Sequence, residues 1–539
     1  MIILNVGAVN FLFSSEGFIM DMTVFNVGFG QSILMEEDGN QLLVDCGSKN
    51  SSSRWNHSIS YMKNSLAGTK RRRTALLTHY HVDHYRYFKE MNPHSFDDFY
   101  LPYVGFQSKS KGSILTEEAL LTHLFLKGNK SDTKVYLQDQ MQMVFDLLKK
   151  NGRIAVLMRG DYFTLGHTVC EVLWPSFDIE NEFEVKGRRK LIDRFKSYLF
   201  MYMRDYSRQN DAYAMWSELY QVVIDRLYHF YELCSGIEYN DNDTNGEGGS
   251  RHSRNIDQIK RLIDLDEIRE MVKQQRKDLG QLMLLSSDLK KSLQRDVSDS
   301  FAKFSKELAH NFKSDNNAVS IVFRDRVPNV EQEDDDVGYH HKFLMTGDIT
   351  KDILEEHIFK DPDESGQIYN FIQCPHHGTE KRHYSTQLPN AWHFIISNGH
   401  FGNYGKIAPE YSQPCILTSK LKISNSQREP SNYNGSCLGI NNIKQCLSRY
   451  HNSYLYSSRC FYPLQCVYCY SSCGFADHRI DERCLDAGSR ICTNPTAERC
   501  SQLAQGKHCS SFDCRLHKGE EIVCYKFNMD KIRSLIAVI

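Results

Sequence analysis

The sequence contains no apolar run long enough to span a bilayer, which takes about 20 residues, so we expect no membrane-spanning helix. Its charges nearly cancel, with 65 Lys and Arg against 67 Asp and Glu. The net charge therefore gives no indication of a nucleic-acid partner. Two local clusters of basic residues, at 70–73 and 186–196, leave that partner open, because such a cluster either binds phosphates or forms a solvated face.

Signals for export are absent as well. The first 22 residues lack the basic segment and the small-residue cleavage site of a signal peptide. We therefore expect a cytoplasmic protein without membrane contact. No internal repeat is visible in the 539 residues, and a chain of this length is expected to form about two to four structural units.

Short strand patterns separated by turns predict an α/β fold. They fall in two parts of the chain, residues 22–176 and 318–399, the second of which begins with a strand pattern at 318–323. Residues 177–313 instead carry apolar side chains at the 3.6-residue helical period, around a polar loop. We therefore predict a helical insertion at 177–313 in the form of an antiparallel hairpin.

Residues 79–84 read H-Y-H-V-D-H and directly follow an apolar strand pattern. On an extended backbone His79 and His81 alternate onto one side, while Asp83 and His84 turn towards a neighbouring position. Imidazole and carboxylate groups are ligands for divalent metal ions. The spacing therefore predicts two adjacent cations, one held by each pair.

Other acidic and imidazole groups follow predicted strands elsewhere in the chain. Asp45 ends one strand, Asp348 follows another, and His376 and His377 follow a third. Side chains at strand ends form the sites of many α/β proteins. Each group alone also has a structural explanation, since Asp348 can cap the helix after it and the paired histidines can form a polar turn. Their combination with the H-Y-H-V-D-H segment favours one shared site.

These residues resemble the metallo-β-lactamase fold superfamily, whose members carry an H-x-H-x-D-H motif after a strand. The similarity is greatest to the branch that contains the soluble metal-hydrolase domain of the DNA-uptake protein ComEC. The resembling segments are 25–32 (F-N-V-G-F-G-Q-S), 43–47 (L-V-D-C-G), 79–84, 316–317 (N-N), 344–348 (L-M-T-G-D) and 375–379 (P-H-H-G-T). The resemblance implies a four-layered αβ/βα sandwich with a metal site at one edge.

The resemblance also implies a dinuclear centre of zinc or manganese. Its ligands would be His79 and His81 for one ion, Asp83, His84 and His377 (or His376) for the other, and Asp348 as the bridge. Asp45 would orient a ligand histidine through its ring N–H.

The chain departs from the family at several positions. Asn26 and Gln31 stand where the family often has Asp, and a third-motif His is not apparent. Lys406 replaces a His after the last strand, and would stabilise a phosphate oxyanion. The candidate catalytic residues are therefore Asp83, Asp45 and, because of this departure, Lys406.

Twelve of the 17 cysteines lie between residues 437 and 524, in a segment that the resemblance does not cover. Their close spacing indicates thiolate ligands of structural zinc, with candidates at Cys466, Cys469, Cys473, Cys509 and Cys514. A disulfide framework is the alternative, and it requires an oxidising compartment. We predict a zinc-binding module at 415–539 that binds protein or nucleic acid.

The sequence thus predicts a dinuclear metal hydrolase, most simply a nuclease or phosphodiesterase acting on DNA or RNA. Hydrolysis of small esters or phosphoesters is an open alternative, as is a binding or regulatory protein with a vestigial centre. The insertion and the Cys-rich tail are the expected surfaces for a protein partner. The predicted units are 1–176 and 314–414, which together form the metal-binding fold, 177–313 and 415–539.

Overall fold

The computed structural model describes residues 20–25, 27, 29–49, 56–68, 72–106, 113–126, 130–206, 211–235, 254–258, 263–296, 298–326, 340–360, 367–378, 389–397, 416–418, 524–528 and 535–538. Several predicted site residues lie outside the described residues: Asn26, Lys406, Cys466, Cys469, Cys473, Cys509 and Cys514. The oxyanion role of Lys406 and the zinc-binding tail therefore stay predictions.

Strands occupy both ends of the described chain. In chain order they are β1 (Met20–Phe25), β2 (Ile33–Glu37), β3 (Asn40–Val44), β4 (Arg72–Leu76), β5 (Phe96–Pro102), β6 (Leu148–Leu157), β7 (Tyr162–Leu165), β8 (Thr168–Trp174), β9 (Val322–Asp325), β10 (His340–Met345), β11 (Ile368–Gln373), β12 (Asn390–Ile396), β13 (Ile416–Thr418), β14 (Cys524–Asn528) and β15 (Leu535–Val538).

These strands form two mixed sheets. The first has the order β15-β14-β1-β2-β3-β4-β5-β6, and the second the order β13-β12-β11-β10-β9-β8-β7. The strands from β3 to β6 are parallel neighbours in the first sheet, as are those from β10 to β13 in the second. The remaining pairs are antiparallel. The α/β class predicted from the sequence is therefore confirmed.

Parallel pairing brings the ends of neighbouring strands together. In the first sheet Val44 of β3 lies opposite Leu76 of β4, and both strands are buried at this end, as expected where a sheet is covered on both faces. In the second sheet Leu344 of β10 lies opposite Ile372 of β11. The polar residues that follow each pair therefore leave their sheet at one shared edge.

A buried carboxylate, Glu37, joins the end of β2 to the turn between β7 and β8. It accepts hydrogen bonds from the backbone N–H groups of His167 (2.9 Å) and Thr168 (2.8 Å), and from the Thr168 hydroxyl (3.0 Å). Gly166 in this turn has φ +60°, and a Cβ there would lie 2.8 Å from the Glu37 carboxylate. Glycine is therefore required where the two sheets meet.

Helices connect many of the strands. In chain order they are α1 (Asn56–Ser65), α2 (Val82–Tyr85), α3 (Ile114–Phe125), α4 (Lys130–Lys134), α5 (Gln140–Leu147), α6 (Ile179–Val185), α7 (Arg188–Tyr206), α8 (Asp211–Ser235), α9 (Leu265–Asp296), α10 (Ser298–Ala318) and α11 (Lys351–Ile353). Five of them, α6 to α10, lie in the chain between β8 and β9. Among the described residues, none of the helices has both the length and the apolar character needed to cross a bilayer.

The long helices α7 to α10 pack directly onto the rest of the protein. The ring of Phe125 in α3 contacts Phe195 of α7 and Phe301 of α10, with ring centroids 5.5 Å and 5.7 Å apart. One buried apolar cluster runs from the strands into these helices. The division of the chain into four units stays a prediction.

One element boundary differs from the sequence pattern. The apolar residues 318–323 predict a strand, but α10 continues to Ala318 and β9 begins only at Val322. The Ser320 N–H donates to the Asn317 carbonyl at 3.0 Å, which adds a further turn at the helix end. Local strand propensity is overridden here by tertiary context.

Candidate metal centre

Four strand ends bring the predicted ligands together. β4 leads into residues 79–84, β3 into Asp45, β10 into Asp348, and β11 into His376 and His377. Two buried sets of ligand atoms result, each with its atoms within 4.8 Å of one another: His79, His84 and Asp348, and Asp83, His84 and His377. His84 belongs to both sets, and the predicted ligand His81 belongs to neither.

His79 and His81 lie on one side of this cluster. His79 Nε2 lies 3.0 Å from His81 Nδ1 and 3.8 Å from Asp348 Oδ2. Burial keeps the pKa of His79 well below its usual value, and the neighbouring His84 adds to this effect. Burial also lowers the pKa of His81 to about 3, although Asp83 opposes the change. Both imidazoles are therefore neutral near pH 7, which is the form that binds a metal ion.

Asp83, His84 and His377 lie on the other side, and Asp348 lies between the two groups. His377 Nε2 is 3.3 Å from Asp83 Oδ2 and 3.6 Å from Asp348 Oδ2. His84 Nε2 is 3.2 Å from Asp348 Oδ1. Asp348 thus presents one oxygen to His84 and the other to His377 and His79, as a bridging carboxylate would.

Asp45 fixes the orientation of His84 from behind. Its Oδ2 accepts hydrogen bonds from His84 Nδ1 (2.7 Å) and from the Thr78 hydroxyl (2.8 Å), and its Oδ1 accepts one from the Thr78 N–H (2.8 Å). Asp45 has φ +56°, a conformation that is uncommon for residues other than glycine. The three hydrogen bonds help to hold this strained backbone in place. They leave the Nε2 atom of His84 for a ligand.

The charges of the cluster favour a bound cation. Burial would lower the pKa of His84, but Asp348 and the other carboxylate beside it raise that pKa well above its usual value. Burial would raise the pKa of Asp83, yet Lys49 and His377 hold it well below its usual value. The pKa of Asp348 is likewise low, because His377 and His84 outweigh its burial. Asp83 and Asp348 are thus ionised, and a metal ion that binds His84 must release its proton.

Two buried nitrogen atoms of the cluster have no hydrogen-bond partner among the described residues. They are Nε2 of His81 and Nδ1 of His377. Leaving such an atom unsatisfied costs roughly 1–3 kcal/mol, so each needs an explanation. Imidazole nitrogens and carboxylate oxygens are the donors found in zinc and manganese sites. The residues present therefore fit the two ions that the resemblance implies.

The paired histidines have different surroundings. The His377 ring is buried against Phe29, with ring centroids 4.7 Å apart. His376 Nδ1 accepts a hydrogen bond from Asn317 Nδ2 at 3.2 Å and lies 3.5 Å from Asp348 Oδ2. His376 is 12% exposed, whereas His377 is fully buried. His377 therefore belongs to the ligand set, and His376 lies at its edge.

Two loops hold the backbone of residues 79–84, the predicted metal-binding segment. The Cys46 N–H donates to the His84 carbonyl at 2.7 Å, and the Gln31 N–H donates to the Asp83 carbonyl at 3.1 Å. Gly47 lies against the same backbone, since a Cβ there would be 2.5 Å from the carbonyl carbon of His84. The glycine of the L-V-D-C-G segment thus permits this close approach.

Lys49 and the pair Asn316 and Asn317 contact the centre, and the sequence patterns gave them no role there. Lys49 Nζ lies 3.0 Å from Asp83 Oδ2, and Asn316 Oδ1 accepts a hydrogen bond from the Tyr80 N–H at 3.1 Å. Both groups lie in or next to segments that resemble the metal-hydrolase family. Their position in or beside these segments could have identified them from the sequence, but it does not show which side chains they contact.

In the described part of the two basic clusters, several of the cations form ion pairs with carboxylates. A cation that is paired with a buried carboxylate is less available to a phosphate. The pairs are Arg72 with Asp98 and Asp257, Arg188 with Asp315, Arg189 with Glu117, and Lys196 with Glu117.

Comparison with known protein families gave no match, and no curated protein matches the chain. Among solved structures, a protein of unknown function from Enterococcus faecalis V583 aligns with a TM-score of 0.15 and 12% sequence identity. The alignment covers 29% of this chain and 37% of that protein. At this TM-score the similarity carries no argument about fold or function.

Proposed function

We propose that this protein is a hydrolase that uses two divalent metal ions, zinc or manganese, to cleave phosphodiesters, nucleic acids among them. The observation that carries the proposal is the pair of buried ligand sets that meet at His84, with Asp348 beside both. A dinuclear site of this kind is suited to hydrolysis by an activated water. A binding protein with a vestigial centre would not be expected to retain these two sets of ligand atoms.

We also propose a four-layered αβ/βα sandwich of the metallo-β-lactamase type. The two mixed sheets support it, because the ligands follow their parallel strands in the order found in that superfamily. The cytoplasmic location and a protein partner at the helical segment or the Cys-rich tail stay predictions.

In this proposal the side chains divide into ligands and supports. The ligands would be His79 and His81 for one ion, Asp83, His84 and His377 for the other, and Asp348 for both. When bound, two adjacent ions lower the pKa of a water and stabilise the attacking and leaving oxygens of a phosphodiester. Asp45 keeps the proton of neutral His84 on Nδ1, and Thr78 in turn fixes Asp45. The burial of these groups excludes bulk water and strengthens their electrostatic interactions.

Hydrolysis of small esters or phosphoesters is the second candidate, and the ion pairs of the basic clusters favour it. A long nucleic acid is held by several cations along its backbone. In the described part of the chain, Arg72, Arg188, Arg189 and Lys196 are instead paired with carboxylates.

A direct assay separates these candidates. Purified protein with Mn²⁺ or Zn²⁺ is tested on labelled single- and double-stranded DNA and RNA and on bis(p-nitrophenyl) phosphate. Asp348→Asn should reduce cleavage by at least about 100-fold, because it removes the charge and one of the two oxygens of the shared ligand. The matched control is Glu37→Gln, which alters a buried carboxylate outside the centre. Cleavage that persists in Asp348→Asn would contradict the proposal, and cleavage of the small phosphodiester alone would select the second candidate.

A further inference from the structure

Lys49 brings a positive charge to the solvent side of the metal centre. Its Nζ lies 3.0 Å from Asp83 Oδ2, and its side chain is 30% exposed whereas that of Asp83 is 3% exposed. The same ammonium lies 4.3 Å from the centroid of the Phe29 ring, which in turn packs on His377. The ammonium is therefore at the boundary between the buried ligands and the solvent from which a substrate must enter.

The backbone of Lys49 is fixed while the end of its side chain has room to move. The Lys49 N–H donates to the Phe29 carbonyl at 2.8 Å, and Arg86 Nη1 donates to the Lys49 carbonyl at 2.8 Å. A lysine side chain has four flexible methylene carbons beyond such an anchor. The ammonium can therefore shift between Asp83 and a nearby anion without a change in the fold.

The Asp83 oxygen that contacts Lys49 is also the one that faces the ligand set. Asp83 Oδ2 lies 3.3 Å from His377 Nε2. An ion held by Asp83 and His377 would compete with the ammonium for this oxygen and repel it, since like charges this close interact strongly in a poorly hydrated site. In the metal-loaded protein the Lys49 ammonium would then bind Asp83 more weakly and would contact an anionic group of the substrate.

We propose that Lys49 binds an anionic phosphoryl oxygen of the substrate and so selects phosphodiesters over neutral esters, an inference that rests on the proposed hydrolase function. A phosphodiester carries a negative charge that a lysine binds as a point charge, whereas a carboxylic ester offers no such charge. Lys49 is thus a substrate-binding residue that determines specificity.

The first test compares two substrates in Lys49→Met, Lys49→Arg and a matched control, Lys89→Met. Lys89 has similar surroundings away from the centre, with its Nζ 2.8 Å from Asp139 and 5.1 Å from the Tyr85 ring. The measured quantity is kcat/KM for bis(p-nitrophenyl) phosphate and for p-nitrophenyl acetate. Lys49→Met should lower the value for the phosphodiester at least about 10-fold more than the value for the ester. Lys49→Arg should restore part of the loss, and Lys89→Met should leave the ratio of the two unchanged.

The second test measures binding without turnover. By competition with a fluorescent chelator, Lys49→Met should bind Mn²⁺ as tightly as the wild-type protein or more tightly, because a competing cation has been removed. By calorimetry, the metal-loaded variant should bind inorganic phosphate about 10-fold more weakly than the wild type does.

The two tests distinguish the failure of this inference from failure of the proposed function. If the wild-type protein hydrolyses neither substrate, the hydrolase proposal fails, but the phosphate measurement still tests Lys49. Equal losses on both substrates, or weaker Mn²⁺ binding in Lys49→Met, would show that Lys49 supports the ligands and does not bind substrate. Phosphate affinity that is absent in the wild type or unchanged in Lys49→Met would likewise overturn the inference.

Discussion

The carboxylate of Asp45 accepts a hydrogen bond from Nδ1 of His84 at 2.7 Å, with both side chains fully buried. A carboxylate of this kind only accepts, so the ring proton of neutral His84 is held on Nδ1. The other ring nitrogen, Nε2, lies 3.2 Å from Asp348. The affinity of the centre for its second ion should therefore depend on Asp45, which is not one of the ligands.

Replacement of Asp45 by Asn tests this dependence. Asp45→Asn removes the charge that supports the Nδ1–H group, and we expect the second ion to bind about 10–100-fold more weakly. Chelator competition with Zn²⁺ or Mn²⁺ measures the affinity. Glu37→Gln is the control, because it also alters a buried, hydrogen-bonded carboxylate and should cost stability without changing metal affinity. An unchanged affinity in Asp45→Asn would contradict the role given to Asp45.

The two adjacent histidines provide a second prediction. Because His377 Nε2 lies 3.3 Å from Asp83, whereas His376 is bound to Asn317, His377→Ala should lose about one equivalent of metal and His376→Ala none. The metal content of purified protein, measured by mass spectrometry, gives the stoichiometry. The two variants are controls for each other, since they change neighbouring residues of one type. The reverse result would make His376 the ligand.

The clustering of the candidate ligands could be predicted because each lies within a few residues of a strand end. The H-Y-H-V-D-H segment, Asp45 and Asp348 are local signals, and the parallel pairing of β3 with β4 and of β10 with β11 then brings them to shared edges. The strand predicted at 318–323 was wrong for residues 318–321, because α10 extends to Ala318 and β9 begins at Val322. Strand propensity depends strongly on tertiary context, which a single sequence does not display.

Contacts between distant segments could not be predicted in this way. Asn317 and His376 are 59 residues apart in the sequence, and their hydrogen bond depends on how the end of α10 meets the turn after β11. The charges of the basic cluster at 186–196 were consistent with phosphate binding or with a solvated face. In the structure, however, Arg188 and Arg189 pair with carboxylates on α10 and α3. Such pairing depends on which helices pack together, and the charge pattern of one segment does not show this.

Helix α8 touches the predicted metal-binding segment, residues 79–84, through two tyrosines. The Tyr80 hydroxyl donates to Tyr231, whose own hydroxyl donates to Gln140 Oε1 at 3.0 Å. Tyr231→Phe leaves the buried Tyr80 hydroxyl without its acceptor, and we expect a loss of about 1–3 kcal/mol in the free energy of unfolding, measured in urea. Adding Tyr80→Phe should cost less than the sum of the two single changes, because neither hydroxyl is then left unpaired.

The control for this prediction is Tyr198→Phe. The Tyr198 hydroxyl is buried and has no hydrogen-bond partner among the residues that the structure describes, so its removal should cost nothing. Additive losses for Tyr80 and Tyr231, or an equal loss for Tyr198→Phe, would show that the hydrogen bond does not couple the helices to the metal-binding segment.

Glu180 of α6 should make stability depend on pH. Burial raises the pKa of Glu180 from 4.5 to about 8, although the Ile114 N–H and Arg189 oppose this change. The folded state then binds the proton more tightly than the unfolded state, so stability falls as pH rises from 4.5 to 8, by at most about 5 kcal/mol.

Glu180→Gln should remove this part of the pH dependence in denaturant titrations at pH 5.5, 7 and 8.5. Glu184→Gln, an exposed change on the same helix, should retain most of it, because burial is the main cause of the raised pKa and the Glu184 charge adds less. A Glu180→Gln protein with the wild-type pH profile would mean that Glu180 stays ionised in the folded protein, held by Arg189 at 3.4 Å.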